Sequence, residues 1–264
     1  MRTKLSLILL ASSIFLTGCE RDRIKAICDS NPQLCANLHT DGWCRFERSN
    51  LIRARYQQYT EPSDASHYVL MTALVTYRTC LEPLMDIEYT DRQERKNDKV
   101  EAVVLVRDEL AQLEQQSRHS DYPYLQLWHW QRHGDRQART RFMAQAERPE
   151  MQQPELQKAL AALLVVRDKP AAEQALHRAL GLYGKGQDID SAIIADLINL
   201  YVGERRFEDA WVWTRVMSGF ASGKGLNPAR MDAYARFSPE QQQQMQQQAD
   251  NIVRRLKNGT YIRQ

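Results

Sequence analysis

Leu197-Ile198-Asn199-Leu200-Tyr201-Val202-Gly203-Glu204-Arg205-Arg206-Phe207-Glu208-Asp209-Ala210-Trp211-Val212-Trp213 decides how this chain folds. Leu197, Leu200 and Tyr201 recur at helical spacing, and Gly203-Glu204 interrupts them. Phe207, Ala210, Trp211 and Trp213 then begin a second apolar pattern. The stretch reads as a helix, a short polar turn and a second helix. The same plan stands twice upstream. Leu125, Leu127 and Trp128 precede His133-Gly134-Asp135, followed by Ala138 and Phe142. Leu160, Leu163 and Leu164 precede Arg167-Asp168-Lys169-Pro170, followed by Ala175, Leu176, Ala179 and Leu180. The anchor alanines Ala138, Ala175 and Ala210 are 37 and 35 residues apart. A repeat of that length is the signature of stacked helix hairpins.

The third unit resembles the tetratricopeptide repeat. Tyr201, Phe207 and Ala210 fall where that repeat carries a tyrosine, an aromatic and a small alanine. Ile198 replaces its usual glycine, and no proline ends the unit. The first two units match only in outline, so a Sel1-type repeat fits them equally. The fold expected is all-α: helical hairpins stacked as a short tetratricopeptide-like solenoid, preceded by a disulfide-linked helical N-terminal part. Glycine and proline are sparse, at 11 and 9 of 264 residues, and no run alternates as a strand would.

The segments follow from this pattern. Residues 1–18 read as a leader, 19–43 as a Cys-rich segment, and 44–120 as an N-terminal helical region. The three hairpins occupy 121–220, and 221–264 hold a capping helix. Tyr68 to Leu81 is the most apolar stretch, and Thr72, Thr76 and Arg78 interrupt it; it reads as a buried core helix. Asp91 to Asp98 reads as a charged connector, and His119-Ser120-Asp121-Tyr122-Pro123 as a break. Ser222-Gly223-Lys224-Gly225 reads as a loop. Ser238-Pro239-Glu240-Gln241 starts a helix by capping serine, N1 proline and a glutamine three residues after the cap. That helix should stop at Asn258-Gly259, with its glutamine tract as a solvated face.

The N-terminus carries an address. Arg2 and Lys4 precede the apolar run Leu5 to Phe15, and Leu16-Thr17-Gly18-Cys19 closes it. This is an export signal with the box of a bacterial lipoprotein, cut before Cys19, whose acyl chains would anchor the protein. In that class an Asp after the cysteine retains the protein at the inner membrane. Glu20 stands there instead, which implies the outer membrane, periplasmic face. Loss of Arg2 and Lys4 with the leader takes the formal charge from +3 to +1, so nothing favours nucleic acid as a partner.

Cys28, Cys35, Cys44 and Cys80 would then lie in an oxidising compartment, where an even number implies disulfides. Cys44 opens one helical pattern and Cys80 ends the next, so an antiparallel pair brings them together. Cys28 and Cys35 would stand about 10 Å apart on one straight helix. Asn31-Pro32 breaks that helix and lets the chain fold back. The spacings fit neither a zinc site nor a redox pair.

Little catalytic chemistry is on offer. His129 and His133 have metal-ligand spacing, but Trp130 stands where a zinc protease carries glutamate; they read as surface histidines near a turn. Ser222-Gly223-Lys224-Gly225 lacks phosphate-loop spacing, and no nucleophile elbow occurs. No cofactor, metal or catalytic residue is expected. Trp128/Trp130 and Trp211/Trp213 are pairs two residues apart, about 200° around a helix. Trp128 and Trp211 are placed inside, and Trp130 and Trp213 toward a groove, where tryptophan favours binding; burial of both is the alternative. Trp130, Tyr201 and Trp213 are therefore the candidate partner-binding residues.

The segment Cys28 to Arg55 carries a further resemblance. Asn31-Pro32-x-x-Cys35, Asp41-Gly42-Trp43-Cys44-Arg45, Glu47-Arg48 and Leu51-Ile52 are similar to an uncharacterised family of gammaproteobacterial lipoproteins, labelled only as a domain of unknown function. The resemblance implies such a host and an outer-membrane address, and supplies no activity. The function expected is a non-enzymatic scaffold holding an unknown envelope protein. The alternative is an envelope enzyme, or an enzyme-activating subunit, acting on peptidoglycan or envelope glycan.

Overall fold

The computed structural model describes residues 24–87, 94–220 and 234–262. The expected leader, Cys19 and the expected loop at Ser222–Gly225 lie outside the described residues. The chain divides into two units, 1–125 and 126–264. Among the described residues both are helical, with no strand.

The first unit holds α1 (Ile24–Ser30), α2 (Arg45–Thr60), α3 (Asp64–Leu81) and α4 (Glu94–Ser117). Helix α1 packs on α2, α2 on α3, and α3 on α4. Leu70, Leu74, Tyr77 and Leu81 form the buried stripe of α3, and Ala102, Val103, Val106, Leu110 and Leu113 that of α4. Each fully buried leucine contributes about 1.5–3 kcal/mol by leaving water. Ser63 and Ser66 cap α3 reciprocally. Asn31-Pro32 ends α1 and starts a single 3-10 turn, Pro32–Leu34, which turns the chain back so that Cys28 bonds Cys35 with Cα atoms 5.6 Å apart. Cys44 bonds Cys80 at 5.9 Å, tying the start of α2 to the end of α3.

One expectation needs correction. Glu94 to Asp98 are not connector but the first turn of α4. Glu, Arg and Lys are good helix formers, and charge alone does not mark a linker when one face is solvated. Lys99, next along, is buried and bonds Asp41.

The second unit contains two packed helix pairs. Helix α5 (Pro123–His133) leads into it and α6 (Arg136–Ala144) follows across Gly134; α7 (Pro154–Leu164) pairs with α8 (Lys169–Gly181), and α9 (Ser191–Gly203) with α10 (Phe207–Ser218). Helix α8 also packs on α9, and α10 on α11 (Pro239–Lys257). Ala138, Ala175 and Ala210 are fully buried, as close helix approach requires. Asp135, Asp168 and Asp190 accept backbone N–H bonds at the starts of α6, α8 and α9. Ser238 and Gln241 form the capping box of α11, which buries Met245, Ala249 and Leu256 and leaves most of its glutamines exposed. Gly259 follows the helix at φ +66°, and a Cβ there would come 2.5 Å from the Lys185 amide nitrogen. Only glycine fits that turn. It delivers Tyr261 into the unit, where the ring is buried.

Candidate functional site

Tyr201 and Trp213 do not lie on an open groove. Tyr201 is 2% exposed and Trp213 4%, and Trp211 is buried as well. The two tryptophans do point to opposite sides of α10. That helix packs against α9 and also against α11, so both sides are covered. Arg215 stacks over Trp211 at 4.6 Å. Trp130 is half-buried with Arg139 over its ring, and Trp128 is half-buried beneath Arg132. His129 is buried rather than superficial, while His133 is exposed. Residues on the sheltered face of a short helix end inside whatever their polarity, and Leu125 four residues earlier is fully buried on the same face.

Tyr201 and Trp213 instead border a polar junction. The Tyr201 hydroxyl donates to Glu173 Oε1 at 2.9 Å. Since that proton is committed to the carboxylate, His177 Nε2 donates to the Tyr201 oxygen at 2.9 Å. His177 Nδ1 is then the acceptor for the Tyr261 hydroxyl at 2.7 Å. Arg206 grips Glu173 with Nη1 to Oε2 at 2.8 Å and Nη2 to Oε1 at 3.3 Å, and gives its Nε to Asp209 at 2.8 Å. Its guanidinium also lies 4.4 Å over the Tyr201 ring. Burial, then the bond to Glu173, pushes the Tyr201 hydroxyl well above the usual phenol range. The bond to Glu173 raises Arg206, against the opposing effect of burial. Trp213 packs edge-on to His177 at 5.4 Å. Gln248, Asn251 and Arg255 of α11 line the mouth of the remaining cleft, about 170 Å³. The network joins α8, α9, α10 and the C-terminal segment through matched donors and acceptors. That is the work of a buried clasp.

A different opening lies on the other side of α9. Ala161, Ala162 and Val165 at the end of α7, Ala172 and Leu176 on α8, and Leu200 and Gly203 on α9 line an apolar groove of about 350 Å³. The groove exists because three alanines and a glycine withhold side-chain volume. A Cβ added at Gly203 would meet nothing within 4 Å, and its φ is not left-handed. Neither packing nor backbone conformation within the chain calls for glycine there. Asp196, Asn199 and Lys169 form the polar rim. Asp196 is half-buried and makes no hydrogen bond or ion pair among the described residues. Burial raises its carboxyl above the usual range, against the pull of Lys158 and with the push of Asp190. Lys158 is itself held by Asp190 at 2.7 Å. Sequence reasoning missed this groove, whose signal is only a set of small residues scattered over three helices.

The Cys-rich segment is a structural knot. His39 is buried, with Nδ1 against the Tyr77 hydroxyl and Nε2 against the Trp43 carbonyl. Burial lowers the His39 pKa and pushes the Tyr77 hydroxyl up to about 12. Burial works against the charge of Asp41, but its bond with Lys99 and the Trp43 N–H outweigh that and hold its pKa down. Arg48 donates to the carbonyls of His39 and Asp41, and Arg55 to that of Leu34 and to Glu109. Glu47 lies beside Cys44 and Cys80, but both sulfurs are spent in their disulfide. Of the residues that carry the family resemblance, Cys35, Asp41, Trp43, Cys44 and Arg48 tie this unit together.

No helix among the described residues is long and apolar enough to cross a membrane. The family described as Protein of unknown function (DUF2989) matches residues 16–215, and the chain belongs to it. No curated protein and no solved structure matches the chain.

Proposed function

We propose, on the premise that the chain belongs to this family, that it is a lipid-anchored, periplasm-facing scaffold. Its tetratricopeptide-like hairpins hold a segment of another envelope protein. Cys19 carries the lipid, and Glu20 directs the protein to the outer membrane. The observation that supports the scaffold reading is the groove between α7, α8 and α9. It is open and apolar, with a small polar rim, and its size falls in the roughly 300–1,000 Å³ range of ligand sites. The test fills it. Gly203→Leu starts a side chain from a Cβ that meets nothing within 4 Å and sends it into the groove. The lipidated, C-terminally tagged protein is cross-linked gently in its host and purified in mild detergent. A stoichiometric envelope partner held by the natural chain and lost with Gly203→Leu supports the reading. A partner retained by that variant at full yield removes the groove from it.

The polar junction favours a second reading, an envelope enzyme or enzyme-activating subunit acting on peptidoglycan or glycan. Glu173, His177 and Tyr201 converge at a cleft of about 170 Å³. Both Glu173 oxygens are already taken by Arg206 and Tyr201, however. Turnover of cell-wall fragments that disappears in Glu173→Gln would establish this second reading.

A further inference from the structure

We infer that the groove takes an extended segment bearing an apolar side chain and, two residues away, a lysine or arginine. This rests on the groove being the partner site. Asp196, Asn199, Leu200 and Gly203 lie on one stripe of α9 at intervals of 3, 4 and 7 residues from Asp196. At about 1.5 Å per residue the stripe is about 10 Å long. One end is the open, apolar pocket over Gly203. The other is the Asp196 carboxylate. In an extended peptide, side chains two residues apart share a face and stand about 6.6–6.8 Å apart. A leucine-sized group in the pocket then brings a lysine or arginine at that spacing within reach of the carboxylate.

The sign of the charge follows from what surrounds each rim group. Asp196 is half-buried, and the cation that acts on it, Lys158, is engaged by Asp190. A cation from outside would relieve a carboxylate that burial disfavours. Lys169, also on the rim, is exposed. Water and salt screen such a charge, so it selects weakly for an acid. Asn199, exposed between the two ends, can donate to and accept from the backbone of an extended segment. An apolar pocket beside an unpaired carboxylate repels phosphate, which turns the site away from nucleic acid and anionic lipid headgroups.

The experiment titrates the full mature chain, by amide NMR, with three short peptides of Gly and Ser flanks. Their centres are Leu-Ser-Lys, Leu-Ser-Ser and Leu-Ser-Glu. The Lys peptide should bind at least about fivefold more tightly than the Glu peptide at low salt, with shifts centred on α7 and α9. Asp196→Asn should erase that preference and leave the Leu-Ser-Ser affinity unchanged. Asp196→Lys should reverse it. Gly203→Leu should abolish binding of all three. Equal or tighter binding of the Glu peptide, a preference that survives Asp196→Asn, or no binding by any peptide overturns the assignment. Loss of the host partner in Gly203→Leu reports on the scaffold reading separately, so the two can fail independently.

Discussion

Replacing Tyr201 separates a core residue from a surface one. Its ring is 2% exposed and its hydroxyl serves Glu173 and His177 at 2.9 Å each. Tyr201→Phe keeps the ring and strips one bond from each of those buried partners. Leaving a buried polar group short of a bond costs about 1–3 kcal/mol. Tyr201→Ala also empties the ring's space beneath Arg206, and truncating a buried aromatic to alanine costs about 3–5 kcal/mol. A surface residue would change stability by no more than about 0.5 kcal/mol. The assay is urea unfolding followed by tryptophan fluorescence. Four of the five tryptophans, Trp128, Trp130, Trp211 and Trp213, lie in the second unit, so the signal reports mainly on it. Glu173→Ala combined with Tyr201→Phe should be clearly less costly than the sum of the two, because each removes the Tyr201–Glu173 bond. A Tyr201→Ala protein that unfolds within about 0.5 kcal/mol of the natural chain, or full additivity of that pair, would refute the buried clasp.

Four further outcomes follow from the structure. Removing the Cys44–Cys80 bond, which closes a separation of 36 residues, should destabilise the first unit by about 4 kcal/mol, against about 2 kcal/mol for Cys28–Cys35 with its separation of 7; hydrogen exchange in α2 and α3 measures both, and equal losses would contradict the loop-length argument. Gly259→Ala should free the C-terminal segment, since its Cβ would strike the Lys185 and Gly184 backbone; unchanged exchange protection around Tyr261 would be the contrary result. The His39 imidazole is buried and its folded pKa lies below 6.5, so the folded state resists a proton that the unfolded chain accepts. Its contribution is complete above pH 6.5 and is lost as pH falls through the folded pKa; first-unit stability that does not decline on acidification below pH 6.5 would contradict this. Radiolabelled palmitate should mark the natural chain and not Cys19→Ser, and labelling of both would remove Cys19 as the anchor.

Punctuation made the helix boundaries of the second unit legible. Gly134, Asp168 and Gly203-Glu204 end or start helices where the pattern breaks, and Ser238 to Gln241 spells out a capping box. The cysteine pairing was legible too, because Pro32 and the two ends of an antiparallel pair leave short paths between the sulfurs. Burial of Trp213 was not. It rests on His177 of α8 and on Tyr261 beyond α11, and no local pattern in α10 says which sides will be covered. The polar junction escaped for a similar reason: His177 and Tyr261 are 84 residues apart. Asp41 and Lys99 stand 58 apart, and the helical start before Lys99 reads as linker until that pairing is known. The groove is a product of missing side-chain volume, which a search for chemically active residues passes over.

The central claim is best tested by a photo-reactive amino acid at Asn199, exposed on the groove rim, with a control at the exposed Gln243 of α11, in cells of the native host. The account predicts an adduct at position 199 that is absent at 243 and is lost with Gly203→Leu. The trapped peptide should carry an apolar residue two places from a lysine or arginine. Adducts of equal yield at both positions, or one at 199 that survives Gly203→Leu, would contradict it.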